Sequence, residues 1–203
     1  MIDVGIFGCS FSSSSYPNTW PNFFAENNLN KFNVIDYAYP GTSIEYSIWR
    51  LEQFKKEYPK GKTIFQITGP NRHTCNVGTT FEKQERFNYK RVLVDWDDIC
   101  IRTVAHAKDK DKLSKWFLNS LRYTDDWNKE INWKLALHYV KNNTDFAFAH
   151  KQIDDKTFPC IQDVCTEDEW KYFCKMLPFD QHFNHHGVKW QAKWVYEQVK
   201  QWT

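Results

Sequence analysis

The strongest constraint on this chain is an alternation, repeated through its first third, of short β-rich runs with helix-patterned segments. Val4 to Phe7 is an apolar run ended by Gly8, followed by the serine-rich stretch Ser10 to Ser15, then Pro17 and an aromatic helical segment from Trp20 to Asn27. Asn33 to Tyr39 forms a second strand with Val34, Ile35, Tyr37 and Tyr39; it stops at Pro40-Gly41, and Ser43 can cap a helix reaching Tyr58. Thr63 to Thr68 is a third, β-branched run between Gly61 and Gly69 that ends in Gly69-Pro70-Asn71-Arg72. Strands joined through helices run parallel, and their crossovers cover both faces of the sheet. The expected fold is a three-layer α/β/α sandwich around a mainly parallel, flavodoxin-like sheet of about five strands. In such sheets ligands gather at the carboxyl ends of the strands, where all three loops lie.

The helix after Ser43 carries Ile44, Ile48, Leu51 and Tyr58 on one face, with Glu45, Arg50, Glu52, Lys55 and Lys56 spread for a solvated face. From about Cys75 to Ser114 the periodicity weakens, while Trp116 to Tyr123 and Trp127 to Lys141 read as helices, the second with an Ile131, Leu135, Tyr139 stripe. Residues 75–142 are therefore expected to form a helical insertion. Asp145 to His150 follows the Asn142-Asn143 turn signal as a fourth strand, with a further candidate near Phe158 to Val164. Thr166 caps a helix to about Lys175, and the last helix starts near His185 or His186 and runs through Trp190, Trp194, Val195 and Val199. At 203 residues, without a repeat or linker, one domain spanning 1–203 is expected.

Charge and cysteine content narrow the partners. Lys plus Arg number 27 against 25 Asp plus Glu, so a net charge of +2 offers little attraction to nucleic acid or an acidic membrane. The Lys and Trp mixture from Lys108 to Lys134 is broken by Asp109, Asp111, Asp125, Asp126 and Glu130, which favours a solvated helical segment over a nucleic-acid surface. The six cysteines contain no C-x-x-C pair, and Cys160, Cys165 and Cys174 match no common zinc spacing; free thiols are expected, with no metal and no cofactor. Met1 leads directly into a strand-like run, and polar residues interrupt every hydrophobic stretch before the roughly 18 residues a membrane span requires. A soluble, cytoplasmic protein is expected. Aromatic residues make up 18% of the chain, including 10 Trp, so some rings should reach the surface, where they can stack on sugars or join subunits. The oligomeric state stays open.

The chemistry lies at the two ends. Ser10 follows the first strand in Gly8-Cys9-Ser10-Phe11-Ser12, where glycine permits a tight turn and a hydroxyl is set at the sheet's carboxyl edge. Asp180-Gln181-His182-Phe183-Asn184-His185-His186-Gly187 precedes the last helix, and a carboxylate near an imidazole orients it and stabilises its cation. Ser10 as nucleophile, His182 as base and Asp180 as its orienting group are the parts of a catalytic triad. Cys9 is a rival nucleophile, although strand alternation turns it away from Ser10 into the core. His185 and His186 compete for the base role, although a helix start suits them to capping or exposure.

On these residues the sequence resembles the SGNH (GDSL-like) hydrolases, whose nucleophile follows the first strand and whose Asp and His precede the last helix. Pro40-Gly41-Thr42-Ser43 is similar to the family's glycine block and Gly69-Pro70-Asn71 to its Gly-x-Asn block, in the family's order. The resemblance covers about residues 1–73 and 176–200. It implies a serine esterase with an oxyanion hole made of the Ser10 and Gly41 backbone N–H groups and the Asn71 side-chain amide. Cys9 stands where the family has Asp, Arg72 follows Asn71 where Asp is common, and one residue instead of two separates Asp180 from His182. That last spacing resembles the Asp-x-His-aromatic-Asn pattern of relatives that move acetyl groups on sugars. It implies a small, acetyl-like acyl group on a carbohydrate or similar alcohol as substrate, and the Gly-Cys-Ser-Phe-Ser opening resembles relatives from phage and bacterial genomes. An O-acyltransferase using the same residues, or an inactive carbohydrate-binding protein on the same scaffold, are the alternatives.

Overall fold

The computed structural model describes residues 1–14, 19–40, 42–69, 72–76, 99–103, 126–176 and 180–203; of 72–76, 99–103, 126–129, 175–176 and 180–181 it describes the backbone alone. β1 (Ile2–Phe7) is central, paired in parallel with β2 (Phe32–Asp36) on one side and β3 (Lys62–Ile67) on the other. β6 (Phe146–Ala149) adds in parallel to β3, giving the order β2-β1-β3-β6. The chain leaves β1 for one edge and returns to its other side, so a crevice opens at the carboxyl ends of β1 and β3. The ladder has four strands among the described residues, in line with the expected sheet of about five. At the position of a fifth, Ala149 makes a single parallel bridge to Cys160 and donates to the Pro159 carbonyl at 2.9 Å. Pro159 has no N–H to bond a neighbouring strand, and the chain turns at once into the short helix α4 (Ile161–Val164).

Strand alternation sends the side chains into two cores. Val4, Ile6, Phe32, Ile64 and Phe148 face one side, under α1 (Trp20–Asn27), α5 (Glu167–Phe173) and α6 (His185–Val199). Phe7, Ile35, Phe65, Ile67 and Ala149 face the other, under α2 (Ile44–Glu57) and α3 (Asp126–Asn143). This is the α/β/α sandwich. Fully burying one such Phe or Ile contributes about 1.5–3 kcal/mol, so each layer is held mainly by its apolar stripe. Aromatic residues fill these layers: Trp20 and Trp170 are buried and Trp190, Trp194 and Trp202 lean on the same core, while Trp49 stays exposed.

The helices start where local hydrogen bonding directs. The Ser43 side chain accepts from Tyr46 N to open α2, Thr166 and Glu169 form a reciprocal capping box on α5, and the Asn184 side chain accepts from His186 N and Gly187 N to open α6. Two helix faces differ from the expected ones. Arg50 is 3% exposed, its guanidinium carbon 4.7 Å from the Tyr37 ring centroid, because that ring offers an electron-rich surface that offsets part of the lost hydration. On α3 the buried stripe is Ala136, Leu137 and Val140, with Trp133 partly buried beside it, and Leu135 is 61% exposed; the helix is rotated from the face that Leu135 would define. Residues 77–98 and 104–125, including the expected helix Trp116 to Tyr123, lie outside the described residues. Two antiparallel pairs complete the framework: β4 (Arg72–Asn76) with β5 (Ile99–Thr103), and β7 (Cys174–Met176) with β8 (Asp180–Phe183). No helix among the described residues is long and apolar enough to cross a membrane.

Candidate active site

β1 ends against a turn that only glycine suits. Gly8 has φ +148°, and a Cβ there would lie 3.1 Å from the Gln66 carbonyl oxygen. Its own carbonyl accepts from Tyr39 N at 3.1 Å and from the Thr42 hydroxyl at 3.0 Å, which binds the loop after β2 to the turn after β1. Ser12 N closes the turn on Cys9 O at 2.9 Å, leaving Ser10 at its apex. Gly8→Ala is expected to cost about 1–3 kcal/mol of stability through this backbone strain. Urea unfolding checks the loss, and any residual activity should fall further than stability alone accounts for, because the strained turn carries Ser10.

Ser12 and Ser14 of the run are scaffolding. The Ser12 hydroxyl donates to Gln66 Oε1 on β3 and accepts from Trp20 Nε1 at 3.1 Å, tying the first loop to β3 and to α1. Ser14 donates to Asp36 Oδ2 from its backbone N–H at 2.7 Å and its hydroxyl at 2.5 Å, while Asp36 Oδ1 accepts from Ala38 N at 2.8 Å. A carboxylate at the end of β2 thus braces two loops by charge-assisted bonds. These bonds make the loop after β1 a rigid mount for Ser10.

The opposite end of the chain arrives through the β7–β8 hairpin. Cys174 pairs with Phe183, Phe183 is 4% exposed, and Asn184 N donates to Phe173 O at 2.7 Å, so the backbone on either side of His182 is held by the core. The half-buried His182 places Nε2 2.9 Å from the Ser10 Oγ, across 172 residues of sequence. With the proton on Nδ1, Nε2 accepts from the serine hydroxyl, which is the arrangement a general base requires. Among the described residues no acceptor meets the Ser10 N–H. Asp180 lies in β8 by its backbone, and its side chain is outside the described residues, as are Gly41 and Asn71.

The rivals lie elsewhere. Cys9 is 1% exposed, buried in the turn that follows Gly8. His185 and His186 are exposed on the first turn of α6, His185 edge-on to Phe23 and His186 against Tyr172. Cys160, Cys165 and Cys174 are buried, and burial pushes the Cys165 thiol up to about 12, which keeps it protonated and unreactive. No group of three or more His, Cys, Asp or Glu among the described residues is arranged to hold a metal ion.

Two residues at the site carried no signal in sequence. Phe11 stacks on His182 with ring centroids 4.2 Å apart and planes 11° apart, and on His150 at 4.2 Å and 29°. His150 closes β6, is 3% exposed, and packs against Trp170 and Phe183. In sequence Phe11 is one aromatic among many and His150 only the end of a strand; the sole hint was the position of Phe11 beside the candidate nucleophile.

No protein-family model matches the sequence, and no curated protein matches it. Among solved structures, the crystal structure of an acetyl xylan esterase superposes with a TM-score of 0.50 at 12% identity, covering 98% of this chain and 100% of that one. At that identity the likeness is one of fold.

Proposed function

We propose that this chain is a serine ester hydrolase of the SGNH type. The observation that carries the reading is the 2.9 Å approach of His182 Nε2 to Ser10 Oγ at the carboxyl edge of the sheet. The Ser10 oxygen attacks the ester carbonyl carbon as its proton passes to His182 Nε2. The tetrahedral intermediate collapses, and the departing alkoxide takes that proton. Water, deprotonated by His182, then attacks the acyl-Ser10 carbonyl and releases the carboxylic acid with Ser10 restored. The Ser10 N–H is a donor for the developing oxyanion; by family resemblance the Gly41 N–H and the Asn71 amide join it, each worth about a hundredfold or more in rate.

Asp180 is assigned to orient the imidazole. The one-residue spacing that departs from the family's usual pattern is that of the Asp-x-His-aromatic-Asn relatives, which supports the same role for it. The substrate is proposed to be a small acyl group, such as acetyl, on a carbohydrate. The Asp-x-His pattern and the fold shared with a solved acetyl xylan esterase support that choice.

A panel of p-nitrophenyl esters and an acetylated oligosaccharide tests the reading. The acetyl ester should turn over fastest, the oligosaccharide should release acetate, and a serine-directed aryl phosphonate should add once, at Ser10. Absence of turnover across the panel together with absence of a Ser10 adduct would refute it, and acyl transfer to a sugar acceptor in place of acetate release would replace hydrolysis by transfer.

A further inference from the structure

We propose that Phe11 is a positioning residue for the base His182, setting the plane of its imidazole through a stack anchored on the buried His150; this rests on the hydrolase reading above. The hairpin holds the His182 backbone, and the bond to Ser10 acts at the edge of the ring, on one ring atom. A flat neighbour at 4.2 Å and 11° restricts the ring plane itself, and with it the direction of the Nε2 lone pair. Phe11 is in turn fixed: it follows Ser10 on the mounted turn, and it lies at 4.2 Å on His150. His150 is 3% exposed, with Trp170 at 5.3 Å and Phe183 at 4.8 Å between ring centroids. The stack therefore links β1, β6, α5 and β8, the elements whose relative placement determines whether nucleophile and base meet.

The contact also strengthens as the reaction proceeds. An aromatic face is electron-rich, so stacking on neutral imidazole becomes a cation–π contact once His182 holds the Ser10 proton. An interaction that grows between ground state and transition state acts on kcat and leaves KM nearly untouched.

Phe11→Leu keeps apolar volume and removes the flat face. It should lower kcat on the acetyl ester by about 10- to 100-fold with KM changed less than about threefold, the scale expected for a misaligned catalytic group. Phe11→Tyr, which restores the ring, should return kcat to within about threefold of the parent. In proton NMR the His182 ring signals, assigned by their loss in His182→Ala, should move downfield in Phe11→Leu as the ring current disappears and return in Phe11→Tyr. Should Phe11→Leu be poorly folded by circular dichroism, Phe11→Met, similar in volume and flexible, carries the same expectations. A folded Phe11→Leu protein with unchanged kcat overturns the positioning role while an inactive Ser10→Ala protein leaves the hydrolase reading standing. Loss of activity in Phe11→Leu that Phe11→Tyr fails to restore, with His182 signals unmoved, reduces Phe11 to a packing residue and also overturns it. A parent protein that neither turns over esters nor takes the phosphonate removes the hydrolase reading first, and the inference with it.

Discussion

Ser10→Ala is expected to lower kcat on p-nitrophenyl acetate by about 10⁴-fold or more, while the urea midpoint stays where it was. The loss is large because the neighbouring nucleophiles among the described residues are buried or engaged elsewhere. Cys9, the chemically stronger group, is 1% exposed and faces the interior, and the hydroxyls of Ser12 and Ser14 are committed to Gln66 and Asp36. The fold should persist because, among the described residues, the one hydrogen bond the Ser10 hydroxyl makes is the one to His182, and removing a half-exposed oxygen creates no cavity in either core. Residual rate above that of water alone would come from binding and the oxyanion donors. Undiminished turnover in this variant would overturn the assignment of Ser10.

His182→Ala should be as damaging, again about 10⁴-fold or more in kcat, because an unassisted serine hydroxyl is a weak nucleophile near neutral pH. Groups that act as one unit lose their effect together, so the double variant Ser10→Ala/His182→Ala should be no slower than either single variant to within about threefold. His185→Ala and His186→Ala should retain rates within about threefold of the parent, since both imidazoles are exposed on the first turn of α6 and the cap that holds this helix is Asn184. A double variant much slower than both singles would mean that Ser10 and His182 act independently. Collapse in His186→Ala with activity preserved in His182→Ala would move the base role to the neighbouring histidine.

Much of the fold was legible in sequence where the information is local. Ser43, Thr166 and Asn184 bond to backbone groups within three residues, so the starts of α2, α5 and α6 follow from short-range chemistry. The parallel strands β1, β2, β3 and β6 were visible because each apolar run is bounded on at least one side by a Gly, Pro or Asn signal. Where a residue's environment is supplied from far along the chain, the reading missed. Arg50 looked like a solvated charge because Tyr37, which covers it, comes from another element. Leu135 looked like core because the rotation of α3 depends on what it packs against. The strand candidate near Phe158 to Val164 is a single bridge beside Ala149, because the missing donor of Pro159 matters only once Ala149 lies next to it.

The site divides along the same line. Sequence order alone nominated a hydroxyl after β1 and an imidazole before α6, since both are loop-edge positions in an α/β sheet. It also supplied the glycine at the turn, because a positive φ beside a close backbone is a local demand. Tertiary structure decided that Ser10 and His182 meet at 2.9 Å, that Ser12 and Ser14 brace the mount, and that Phe11 and His150 stack behind the base. Apart from the Ser12–Trp20 bond, these contacts join segments separated by 22 to 172 residues. Their geometry depends on the packing of two cores across one sheet, which no local run of residues encodes.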